Sequence, residues 1–295
     1  MHNKHLDKRI AVYKNHFMSI FKSIIATTST DNGQRKMTKL EIDHLVKSYN
    51  EQYVKVSIEH DPRKMPIGRV IGCKLIQLDD GEYAAEGLYE LYDCKDPIKD
   101  DENKFLVYEN VDQSENITIS FDESYSTKEK YKKIEELNEL ITNHDDLSYN
   151  VKNSFEPLSV LLIAGTFILG KIFDGFLSKV GEDIYENFKD KLFETLETQK
   201  QRSEHILQFA LNIKKEKEEY RANVFITNPN KEDIDTVLKY GFQKLDSELG
   251  KYLTPQIREI NIEFKNKQFE VTYCLDGKAK PLIPKEEFRI IDIFV

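Results

Sequence analysis

The chain has 295 residues, with 43 Lys and Arg against 52 Asp and Glu, a formal charge of −9 at pH 7. That acidic balance excludes a basic phosphate-binding sheath, so nucleic acid is not an expected partner. Hydrophobic residues at 39% and charged residues at 32% are too apolar for a disordered chain and polar enough for a soluble one. With 15 Tyr and 17 Phe there is ample core material, and the length suggests two domains.

The first 17 residues, MHNKHLDKRIAVYKNHF, scatter charge and contain no apolar run, unlike a secretory leader. Residues 17–26 (FMSIFKSIIA) read as a strand, and Asn32-Gly33 as a turn. Thr38 followed by Glu41 is a capping-box pattern that opens a helix, with Leu40, Ile42, Leu45, Val46 and Tyr49 in apolar rows. Val54, Val56 and Ile58 alternate with polar residues as a half-buried strand does, and His60-Asp61-Pro62 ends it. Residues 68–78 and 83–91 read as strands joined by a hairpin at Asp80-Gly81. Ile117, Ile119 and Phe121 alternate with Thr118, Ser120 and Asp122 as a further short strand.

Residues 127–144 predict an exposed helix with one apolar stripe, a solvated connector. Residues 157–170 (PLSVLLIAGTFILG) carry no charge and are read as an apolar helix. Gly165, Gly170, Gly175 and Gly181 suggest close backbone approach. Lys171 and Asp174 interrupt the run before the roughly 20 residues a spanning helix needs, so a core or oligomer-contact helix is expected. Association with a bilayer through residues 157–177 is the second option. Residues 182–220 read as further helix, with one stripe at Ile184, Phe188, Leu192, Phe193 and Leu196 and another at Ile206, Leu207, Phe209, Ala210 and Ile213. Residues 221–295 predict strands at 224–227, 257–264 and 269–274, a helix at 231–249 and an apolar tail, IIDIFV, able to add an edge strand.

Asp31, His60 and Ser120 are the residues able to carry chemistry. A hydroxyl nucleophile, an imidazole base and a carboxylate that orients the base together suffice for amide hydrolysis. Ser114 is a rival nucleophile and Asp61 a rival orienter. The cysteines Cys73, Cys94 and Cys274 form no CxxC or Cys/His group, so no disulfide framework or zinc site is expected, and a reducing cytosol is the expected setting. No nucleotide loop or other cofactor motif occurs.

The stretch ATTSTDNGQRKMTKLEIDHLVKSYNEQYVKVSIEH, followed by IGRVIGCKLIQLDDGEYAAEGLYELYD, resembles the capsid-scaffolding serine peptidases of tailed bacteriophages, akin to Mu-type prohead proteases. The resemblance covers residues 17–125 and rests on Asp31 with Gly33, Tyr49-Asn50, Glu59-His60, Gly68 with Val70, and Ser120. It implies a serine peptidase domain in which Ser120 is the nucleophile, His60 the base and Asp31 its orienter, meeting on the N-terminal sheet. The substrate would be a protein, or the chain itself cut in the connector, and such phage-like modules suggest a part in phage–host conflict. Beyond Ser120 the family continues with an apolar strand, whereas this chain runs into FDESYSTKEKYKKIEELNEL. A catalytically inactive binding or assembly module is therefore the alternative. The expected fold is α+β: a mostly-β peptidase-like domain at 1–125, a polar connector at 126–153, central helices at 154–220 and a small α+β module at 221–295.

Overall fold

The computed structural model describes residues 20–29, 37–57, 61–92, 100–106, 117–121, 127–140, 147–149, 158–181, 184–199, 204–282 and 289–293. The fold is mixed α and β and divides into two compact units. Unit 1 draws on Met1–Ile58, Pro66–Val107 and Lys278–Lys280. Unit 2 draws on Glu59–Met65, Tyr108–Gly277 and Pro281–Val295.

Unit 1 is a five-stranded sheet with one helix. The strands are β1 (Ile20–Thr27), β2 (Gln52–Val56), β3 (Gly68–Gln77), β4 (Tyr83–Leu91) and β5 (Phe105–Leu106), in the order β1-β4-β3-β2-β5. Helix α1 (Lys39–Glu51) begins at the expected capping box: the Glu41 amide donates to Thr38 Oγ1 at 3.2 Å, and the Thr38 amide to Glu41 Oε2 at 2.7 Å. The β3–β4 hairpin turns at Asp80-Gly81, with Gly81 at φ 85°, a conformation that suits a residue without Cβ. Because α1 runs straight into β2, the β2 backbone cannot continue pairing with the far half of β3. The Asn50 amide takes over, donating to Cys73 O at 2.7 Å and accepting from Cys73 N at 2.9 Å. Gly68 has a steric reason: a Cβ there would stand 2.4 Å from the Glu90 carbonyl oxygen, a backbone atom that cannot step aside.

Unit 2 is a nine-stranded sheet with its helices on one face. In chain order its elements are β6 (Thr118–Phe121), α2 (Lys128–Asn138), β7 (Leu147–Tyr149), β8 (Leu158–Ile168), α3 (Ile172–Val180), α4 (Tyr185–Glu197), β9 (Glu204–Lys215), β10 (Glu218–Thr227) and α5 (Lys231–Thr236). A π-helical segment over Val237–Gly241 leads to α6 (Phe242–Glu248), β11 (Ile257–Lys265), β12 (Gln268–Asp276), β13 (Pro281–Leu282) and β14 (Ile290–Asp292). The sheet order is β13-β12-β11-β10-β9-β8-β6-β7, with β14 also on β12. Alternation sends Ile119, Ile163, Phe209, Val224 and Ile262 to one face, where they meet Phe176, Phe188 and Phe242 of the helices in one core. Edge-to-face contacts at ring-centroid distances of 5.3 Å join Phe242 to both Phe176 and Phe209. The first turn of α3 lacks a local side-chain cap, and Asp246 of α6 supplies one by accepting from the amides of Ile172 at 2.7 Å and Phe173 at 3.1 Å.

Several expectations change. Residues 157–170 are not an apolar helix: 158–168 form β8, a central strand paired with both β6 and β9. The second stripe of the supposed helical region, Ile206 to Ile213, is β9. Strand β8 is largely buried on two faces and reads as a continuous apolar run, which periodicity does not separate from buried helix. Gly165 serves packing within β8, since a Cβ there would come 2.9 Å from the Phe167 ring. The argument for an oligomer-contact or bilayer helix at 157–177 loses its element. No helix among the described residues is long and apolar enough to cross a membrane. Helix α2 is no solvated connector, because Ile134 and Leu137 are fully buried in the unit 2 core. The boundary placed at residue 125 falls inside unit 2, which already holds β6.

Gly68→Ala is expected to lower unfolding free energy by about 1–3 kcal/mol through overpacking against the Glu90 carbonyl. Gly72→Ala, whose Cβ would meet nothing closer than 3.7 Å, serves as the near-neutral control in the same denaturant titration.

Candidate functional site

Asp31, His60 and the rival Ser114 lie outside the described residues. Ser120 is described, and its place is unlike the expected one. It sits in β6 of the nine-stranded sheet, level with Leu162 of β8 and Ser148 of β7, and is 3% exposed. It belongs to unit 2 and not to the sheet of β1 to β5.

Ser120 points to the face opposite the helices. Strand register puts Thr118, Gln208, Arg221, Asn223, Glu259, Asn261 and Tyr273 on that same face. Buried polar groups need partners, and these side chains provide them for one another. Gln208 Nε2 and Arg221 Nε both donate to Asn223 Oδ1, at 3.2 and 3.1 Å. Asn223 Nδ2 donates to Asn261 Oδ1 at 3.0 Å, and Asn261 Nδ2 to Glu259 Oε1 at 2.9 Å. This amide ladder crosses β9, β10 and β11. The sequence reading missed it because Gln208 fell in a stretch read as helix and Arg221 and Asn223 lay before the predicted strand at 224–227, so no common face with Asn261 was visible.

The turn after His60 also lies on this face. Arg63 grips Asp61 in a two-pronged pair, Nε to Oδ1 at 2.9 Å and Nη2 to Oδ2 at 2.7 Å. It also donates to Thr227 Oγ1 at 2.8 Å and to Glu204 Oε2 at 2.6 Å. Tyr273 donates its hydroxyl to Pro62 O at 3.2 Å. Burial works to raise the Asp61 carboxyl, but the hydrogen bonds and charge of Arg63 outweigh it and hold the group below its ordinary value. Asp61 is thus committed to Arg63, which removes the reason to rank it as the orienter. Strand spacing puts Glu204 roughly 13 Å along and roughly 10 Å across the sheet from the level of Ser120, far beyond hydrogen-bond reach.

Unit 1 has its own buried charge centre. Arg69 is 1% exposed and pairs with Glu90 at 2.7 Å and Asp100 at 2.5 Å, with its guanidinium 4.3 Å from the centre of the Tyr53 ring. Burial works to raise the Asp100 carboxyl, while Lys280 and Arg69 hold it below its usual range. Removing one partner from such a buried pair costs about 3–5 kcal/mol. Among the described residues, no group of three or more His, Cys, Asp or Glu is arranged to hold a metal ion.

The lowered Asp61 value gives a pH test. Its stabilising contribution is fully present above the unfolded value of about 3.8 and is lost as pH falls through the lower folded value. Asp61→Asn should therefore be less stable than wild type at neutral pH, and the gap should close on acidification below about pH 3.8, read from urea midpoints across pH. Searches against family models, curated proteins and solved structures find no match to this chain.

Proposed function

We propose that this protein works by recognition or assembly and that its peptidase-like sequence carries no peptidase activity. The supporting observation is the burial of Ser120 within a strand paired on both sides. A serine nucleophile must meet a substrate carbonyl carbon at about 3 Å, with a base on its other side. A hydroxyl that is 3% exposed in a strand paired on both sides offers a peptide no approach. Among the described motif residues of the resemblance, three have structural work: Asn50 extends a ladder, Gly68 avoids a carbonyl and Val70 is core.

Peptide cleavage at Ser120 is the second reading. Its support is that Asp61, Pro62 and Arg63, which directly follow His60, are anchored on the face that carries Ser120; against it stands the distance of that anchor at Glu204 from the level of Ser120. One experiment separates the two. Wild type and Ser120→Ala are incubated with a fluorophosphonate probe and followed by intact mass, with thermal unfolding to check that both fold. The expected outcome is no label and one unchanged mass for both chains. Labelling or self-cleavage of wild type that Ser120→Ala abolishes would establish the peptidase instead.

A further inference from the structure

Lys278, Ala279 and Lys280, between β12 and β13, belong to unit 1, and their contacts there have the form of a bound peptide. The Lys278 ammonium donates to three backbone carbonyls, Asp101 O at 2.7 Å, Lys104 O at 2.7 Å and Glu102 O at 3.2 Å. It also lies 4.3 Å from the centre of the Phe105 ring. Three N–H donors thus meet three acceptors beside an aromatic face, an arrangement selective for a cation. The Lys278 carbonyl accepts from Arg69 Nη1 at 2.7 Å, and the Ala279 carbonyl accepts from the Tyr92 hydroxyl. Ala279 is fully buried at φ 65°, so a small residue is required there. The Lys280 ammonium pairs with Asp100 at 2.7 Å.

The receiving surface is held in shape by bonds that do not involve the tripeptide. The Asp101 amide donates to the Tyr53 hydroxyl at 2.8 Å, and Asp101 Oδ1 accepts from the Asn103 amide at 2.9 Å. Lys104 Nζ donates to Ile71 O at 2.8 Å, a carbonyl at the bulge where the β3–β4 register shifts. Arg69 is fixed by Glu90 and Asp100. A preorganised surface that reads two side-chain cations and two main-chain carbonyls within three residues satisfies the requirements of sequence-selective peptide capture.

We propose that unit 1 carries a recognition site for a basic peptide of the form Lys-small-Lys, filled in this chain by its own residues 278–280. A peptide of that form competes for the site when the internal segment is weakened. The site is independent of Ser120 and of whether Ser120 is a nucleophile.

The test uses the full chain with Lys278→Ala and Lys280→Ala combined, and a fluorescein-labelled peptide LDGKAKPL read by anisotropy. The double variant is expected to bind at least tenfold more tightly than wild type, whose site is occupied. The same peptide with both lysines replaced by glutamate should not bind. A folded double variant that binds neither peptide, or both equally, overturns the proposal. Should the double variant fail to fold, Lys278→Ala alone is melted with n-butylammonium or n-butanol. Recovery of melting temperature with the ammonium and not the alcohol supports the cradle, and no recovery overturns it.

Discussion

The central strands of the nine-stranded sheet are covered on both faces, and much of the molecule follows from that. On one face the requirement is met with apolar volume: Phe209, Val224 and Ile262 pack under helices carrying Phe176, Phe188 and Phe242. On the other face it is met with matched polarity, since an amide buried without a partner would cost about 1–3 kcal/mol. Gln208, Arg221, Asn223, Asn261 and Glu259 therefore form a connected ladder. Ser120, in β6 beside the terminal strand β7, is buried on this face as well.

Buried cations impose a second requirement. A guanidinium out of water must have its donors met, and its fork matches two carboxylate oxygens well. Arg63 meets this with Asp61, Glu204 and Thr227, holding the turn after His60 on the polar face of unit 2. Arg69 does so with Glu90, Asp100 and the Lys278 carbonyl in unit 1. In both, an arginine links side chains distant in sequence. The Lys278 cradle follows the same rule with carbonyl dipoles in place of carboxylates. The acceptors there are the backbone carbonyls of Asp101, Glu102 and Lys104, which meet the three donors of one ammonium.

Local signals in the sequence transferred well. The Thr38–Glu41 box starts α1, Asp80-Gly81 turns the hairpin, Asn266 sits in the turn between β11 and β12 at φ 51°, and the terminal apolar tail adds β14 to β12. Each depends on chemistry within a few residues. Strand β8 was misread because burial on both faces erases the period of two that identifies a strand, whereas β9 kept that period, with Gln208 and Asn212 between Leu207, Phe209, Leu211 and Ile213, and its apolar residues were grouped as a helical stripe. Helix α2 was misread because its charged exposed face outweighs the Ile134 and Leu137 stripe that the core takes up.

The candidate chemistry divides along the same line. Asp31, His60 and Ser120 could be picked out as residue types able to cooperate, yet residue type carries no information on which sheet a short strand joins. By itself the sequence determined the mixed α and β class, the caps and turns, and the hairpins of neighbouring strands, because those interactions close over short loops. Only the tertiary structure decided that Ser120 belongs to unit 2, that Arg63 and Arg69 close their ion pairs, and that Lys278 fills a carbonyl cradle. Those contacts join residues as many as 209 positions apart. What selects them is the desolvation of charge in a packed interior, and no stretch of sequence records that until the chain has folded.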